Sequence, residues 1–166
     1  TLVDIMISLI ILAVIFTDAL LACRKGFRRL GAVPGWAKPA LGGLSTGALA
    51  VIAMGLLGTG GVTGGGYQTL GAALAGKLAA GVLLPLCLLK IAATVLSYSS
   101  GGAGGIFAPS LFIGGMAGGA IGALDVALLH HGPASMGAFA LVGMGAVFAG
   151  IIRAPITSVL IIVEMT

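Results

Sequence analysis

Apolar residues fill long runs of this chain, and glycine more often than charge breaks them up. From Ile5 the sequence is apolar to Phe16 and turns basic at Arg24, Lys25, Arg28 and Arg29, which predicts one helix ending at about Leu30. At 1.5 Å per residue that helix is ~39 Å long, enough to cross a bilayer at a tilt. Pro34-Gly35-Trp36 stops it, and Trp36 with Lys38 has the character of an interfacial anchor. A second helix is predicted from about Lys38 to Leu57, with Gly43 and Gly47 spaced as a small-residue contact face. The GTGGVTGGG stretch from Gly58 to Gly66 cannot be regular helix, and it opens a short helix from about Gln68 to Gly76. Leu78 to Tyr98 is the next span, with Pro85 as a kink and Lys90 as an intramembrane cation.

The second half repeats this rhythm. A glycine-rich loop, SSGGAGGIFAP from Ser99 to Pro109, runs into a helix predicted from Phe107 to about Leu129. Gly114, Gly118 and Gly122 recur every four residues there, giving one bare helix face for close packing. A shorter helix from about Gly137 to Gly150 follows, and Arg153-Ala154-Pro155 breaks the chain before a last apolar helix with Pro155 in its first turn. The pattern predicts an all-α, polytopic membrane protein of broken and tilted helices.

Composition narrows this further. The chain is 59% hydrophobic and 7% charged, with a mean hydropathy of +1.23, outside the range of soluble domains. Thirty glycines in 166 residues would weaken a soluble bundle, whereas membrane helices use small residues for close contact and tolerate breaks that line a cavity. The formal charge of +4 is concentrated in the Cys23–Lys38 connection without interleaved aromatics, so it points to a cytoplasmic positive-inside loop and not to nucleic acid. Asp18, near the basic end of the first helix, is expected to pair with a cation there. Cys23 and Cys87 lack CxxC spacing and read as packing thiols. His130-His131 beside Gly132-Pro133 reads as a loop end, since no third metal ligand accompanies the pair. The chain opens at Thr1 without methionine and closes at Thr166 inside an apolar run, the pattern expected of a piece of a longer protein.

Candidate chemistry centres on Gly105-Ile106-Phe107-Ala108-Pro109. The first amides of a helix lack intrahelical acceptors, and the peptide dipoles place roughly half a positive charge at that end. Preceding glycines let backbone approach a ligand, and proline fits the first turn. Within a membrane this is an anion site made without a cationic side chain. Lys90 and Arg153, the nearest cations in sequence, are well separated from it. The plainer reading is a helix break with a proline start, a membrane-embedded structural or assembly segment with no ion site of its own. A cation or neutral-solute transporter would need carboxylates or exposed carbonyls near the motif, and no carboxylate lies there. No nucleophile–base pair or metal set is visible, so no enzyme is expected and no cofactor.

GGIFAPSLFIGGMAGGAIG followed by ALVGMGAVFAGIIRAPITSVLIIVEMT resembles the chloride channel (CLC) family of chloride channels and chloride/proton antiporters. KPALGGLSTGAL and TGGGYQTL upstream are similar to the same family, so the resemblance covers essentially the whole chain. It implies an integral, multi-pass protein of the inner or plasma membrane, a homodimer whose subunits each carry an anion pathway built from two inverted repeats. Residues 1–166 would be a single transmembrane fragment, most of the second repeat, with the first repeat and the C-terminal helices as its partners in the lipid bilayer. Chloride would be the transported ligand. Backbone amides of Ile106 and Phe107 would hold the anion, with Gly105, Ala108 and Pro109 shaping the site and the Phe107 ring packing beside the pathway. The resemblance further implies that Ile156, Leu160 and Val163 lie on a dimer-contact face and that Glu164 is structural; its carboxylate is expected to pair with a cation or with backbone across helices, since an unpaired one there is costly. It also implies that the TGGGY loop turns away from the pathway, and that neither Tyr67 nor Tyr98 is the pathway tyrosine. The family's serine loop and gating-glutamate loop do not occur here, which leaves channel and antiporter both open.

Overall fold

The computed structural model describes residues 2–29, 31, 33–129 and 134–165. His130 and His131 lie outside the described residues. All described regular structure is helical: α1 (Leu2–Arg29), α2 (Lys38–Leu57), α3 (Tyr67–Leu74), α4 (Ala80–Ser99), α5 (Phe107–Leu129), α6 (Ala134–Ile152) and α7 (Pro155–Met165). Four of these are long and apolar enough to cross a membrane: Ile5–Arg29, Lys38–Leu57, Ala80–Ser99 and Phe107–Leu128. The bounds of α2 and α5 coincide with the sequence expectation, and α4 runs as one helix through Pro85.

At the centre lies α5. It is apolar on every side, as a helix enclosed by others must be, and every residue from Leu111 to Gly119 is buried. Its closest neighbour is α6. A Cβ on Gly118 would strike the Phe139 carbonyl, and one on Gly143 would strike the Gly114 carbonyl. The expected bare face is therefore real, and α6 answers it with a glycine of its own. The two backbones approach where neither helix has a side chain. On α1, Leu9, Ala13, Phe16 and Leu20 form the buried stripe, while Ile7, Ile11, Val14 and Leu21 stay exposed on the other side. Such an exposed apolar face suits lipid or further protein.

Three expectations fail on this geometry. Nothing lies within 4 Å of a Cβ placed on Gly43 or Gly47; instead Gly42 is buried against Ser100, and the Thr46 hydroxyl reaches the Ala93 carbonyl at 3.3 Å. The inward stripe of α2 runs through Gly42, Thr46, Leu49 and Ala53, which turns Gly43 and Gly47 outward. Asp18 is exposed and has no ion pair among the described residues. Arg24 and Lys25 start six and seven residues further along, ~9–10 Å away on an ideal helix. Glu164, expected to pair, is likewise exposed near the end of α7 without an ion pair among the described residues. Cys23 and Cys87 are free thiols, as expected, and Cys87 is buried with its sulfur 3.6 Å from the Ile113 carbonyl.

Candidate anion site

The path from α4 into α5 is a tight glycine connection. Gly101 takes a left-handed φ of 89° directly after the Ser100 cap, and the Gly102 amide donates back to the Ser97 carbonyl at 3.3 Å. A side chain at Gly102 would press on that same carbonyl at 2.9 Å, so the turn holds only with glycine there. Phe107 begins α5, and the bond from the Ser110 amide to the Ile106 carbonyl, 3.0 Å, closes its first turn. The amides of Ile106, Phe107 and Ala108 come before that bond, so none has an intrahelical acceptor, and Pro109 has no N–H to satisfy. The Ser110 hydroxyl donates to the Phe107 carbonyl at 2.6 Å, which helps lock the turn.

This helix start opens into a cavity of about 530 Å³. Gly104, Gly105, Phe107, Ala108 and Pro109 form one wall, and Lys90, Thr94, Ser97 and Tyr98 of α4 form another. Ile106 does not line it; its side chain packs on the core. The Phe107 ring meets Phe148 of α6 edge to face, centroids 4.8 Å apart, so the ring borders the cavity while its backbone starts the helix. Ile156, Leu160 and Val163 lie elsewhere, all strongly exposed on α7.

The third wall is the glycine loop between α2 and α3, contributing Val62, Thr63, Gly64 and Gly65. This loop, expected to face away from the pathway, lines the same cavity as the GGIFAP helix start. Lys90 is the reason it is held there. Its ammonium is fully buried and donates to the carbonyls of Gly61, Val62 and Gly64 at 2.7, 3.1 and 2.7 Å. An ammonium has three N–H donors, and this loop takes all of them. Phe112 of α5 supports the arrangement from below, its ring centroid 4.9 Å from the Lys90 nitrogen. At Gly66, with φ of 70°, a Cβ would collide with that ring. Lys90, remote from the motif in sequence, thus comes to the same cavity as the motif.

The α4 wall was not among the expected site residues. The signal was present: Lys90, Thr94, Ser97 and Tyr98 stand at i, i+4, i+7 and i+8, a single polar stripe on an otherwise apolar helix. The arrangement offers a small, largely apolar chamber with helix-terminal amides, several hydroxyls and a positive charge. That charge already spends its hydrogen bonds on protein. Such a chamber can strip water from a halide and coordinate it without forming a contact ion pair.

The family profile described as voltage gated chloride channel matches residues 5–166. Relatives include the H(+)/Cl(-) exchange transporter ClcA of Cronobacter sakazakii, 42% identical over 94 residues, covering 57% of this chain and 20% of the relative. The protein of the same name from Vibrio vulnificus is 43% identical over 91 residues, covering 55% of this chain and 20% of the relative. That from Salmonella arizonae is 40% identical over 94 residues, with 57% and 20% covered. The match thus spans about a fifth of the length of these relatives. The chain belongs to the voltage gated chloride channel family and is part of an integral, multi-pass membrane protein.

Proposed function

We propose that the protein carrying this chain transports chloride across a cell membrane, and that this chain supplies the GGIFAP helix terminus of the anion pathway. The observation that carries the proposal is the start of α5: three amides without intrahelical acceptors, two of them, those of Phe107 and Ala108, at the wall of a cavity with no carboxylate among its described lining residues. Gly105 leaves the approach bare, and the amides of Ile106 and Phe107 coordinate the anion. Thr94, Ser97 and Tyr98 offer hydroxyls as the ion sheds water. The Lys90 charge raises the potential in the chamber but keeps no N–H for the ion, so chloride is attracted and still released. Conduction and exchange both need that balance, binding strong enough to enter and weak enough to leave.

The first inverted repeat would complete the coordination, and two copies would meet through the exposed face of Ile156, Leu160 and Val163 on α7. Its basic α1–α2 connection would face the cytoplasm. Proton-coupled exchange is the mode named for the relatives, and it is the mode we assign to this protein. The test is reconstitution of the whole protein into liposomes, with chloride efflux and proton uptake recorded together. Chloride efflux with coupled proton movement is the expected result. Efflux without protons would make the protein a channel, and no chloride flux above empty liposomes would overturn the transport reading in favour of a purely structural segment.

A further inference from the structure

A second cavity, of about 260 Å³, lies where α1 ends, α2 begins and α4 ends. Its walls carry Arg24, Arg28, Lys38, Ser99, Ser100 and Gly101. Arg24 and Arg28 are one turn apart on α1, so their guanidinium groups rise from one face. Lys38 is the first residue of α2 and is held in place by a 2.8 Å bond from its ammonium to the Phe27 carbonyl, which leaves it two further N–H donors. No carboxylate lines the cavity. The two serine hydroxyls are turned to protein carbonyls, Ser99 to Leu20 at 3.2 Å and Ser100 to Ser97 at 2.8 Å. Three cations therefore converge on one cleft with no carboxylate among its described lining residues to neutralise them.

The cleft sits at the ends of three membrane-capable helices, all reaching the same side of the molecule. Trp36, 83% exposed, lies in the connection beside it, and Leu21, Leu41 and Leu44 are exposed on the adjoining turns of α1 and α2. A ligand seated there meets cationic groups at one end and an apolar helix surface at the other. From this combination we infer that the cleft binds the phosphate group of an anionic phospholipid, with its acyl chains along α1 and α2. Arginine forks suit phosphate oxygens, and basic clefts between membrane helices are suited to such headgroups. The cleft shares no lining residue with the cavity around Gly105, so the inference is independent of the anion pathway.

Native mass spectrometry of the whole protein with dioleoyl phosphatidylglycerol or dioleoyl phosphatidylcholine tests it. Phosphatidylglycerol should be retained in preference to phosphatidylcholine. Each charge removed should weaken retention about fivefold, so that Arg24→Gln with Arg28→Gln weakens it about 25-fold. Arg24→Lys with Arg28→Lys should retain the lipid, which separates loss of charge from loss of fold. If the double glutamine variant fails to fold, Arg28→Gln alone carries the same test at about fivefold. Equal retention of the two lipids, or unchanged phosphatidylglycerol retention in the folded glutamine variant, would overturn the inference. So would inorganic phosphate at equal concentration displacing the lipid, because the site would then serve a free anion.

Discussion

Lys90 shows how one side chain can set both a loop and a field. With its three donors committed to Gly61, Val62 and Gly64, it fixes a segment of glycines that has little else to hold its shape. Lys90→Met keeps the aliphatic stem but releases the three carbonyls, and hydrogen bonds to a charged group are individually worth about 1.5–3 kcal/mol. Faster amide hydrogen exchange across residues 60–66 is expected, together with weaker chloride binding; unchanged exchange would show that the loop does not depend on the ammonium. Arg153 is a different case, an exposed non-glycine residue with φ of 59° where α6 ends. Its left-handed backbone costs about 1 kcal/mol, so Arg153→Gly should raise thermal stability by about that amount in a melting experiment. The sequence displayed both residues, but it did not disclose their roles. Lys90 stands 26 residues from its loop carbonyl at Gly64, and no periodicity reports a contact of that separation.

The helices were far more legible than the contacts between them. Apolar runs punctuated by glycine and proline place α2 and α5 at their observed ends, because these signals act locally. Which face of a helix turns inward depends on its neighbour, and there the two glycine patterns diverge. On α5 the repeat at Gly114, Gly118 and Gly122 does mark the contact, since α6 brings Gly143 to meet it. On α2 the repeat at Gly43 and Gly47 faces outward, because Gly42 and Thr46 are the residues that meet α4. Gly118→Ala should therefore destabilise the fold by about 1–3 kcal/mol through overpacking. Gly43→Ala should leave it unchanged or stabilise it by up to about 1 kcal/mol, from helix propensity. Thermal unfolding of the two variants side by side checks the assignment, and equal effects would contradict it.

The molecule as a whole brings separate chain segments to one chamber: Thr46 of α2, the glycine loop before α3, the polar stripe of α4 and the start of α5. The start of α5 reads as a site from the sequence, because its amides and glycines act through their own backbone. The α4 stripe shows in the sequence only as a polar spacing, and tertiary packing is what brings it and the glycine loop to that helix start. Exposed apolar faces on α1, α2 and α7 suit lipid or further protein. In the assembled protein, Leu160→Cys should cross-link two subunits under oxidising conditions if α7 faces its own copy. Absence of any cross-link from α7 positions would move the interface elsewhere. Gly105→Ala reaches the amides at the start of α5 with little disturbance. The nearest atom to an added Cβ there is the Phe107 nitrogen at 4.0 Å, so the fold accepts the methyl group while an anion at that amide does not. Calorimetric titration of chloride into the whole protein should show binding about tenfold weaker in Gly105→Ala, the loss expected for one charge-assisted hydrogen bond, at an unchanged melting temperature. Chloride affinity equal to that of the unsubstituted protein would contradict the assignment of the anion to this helix start.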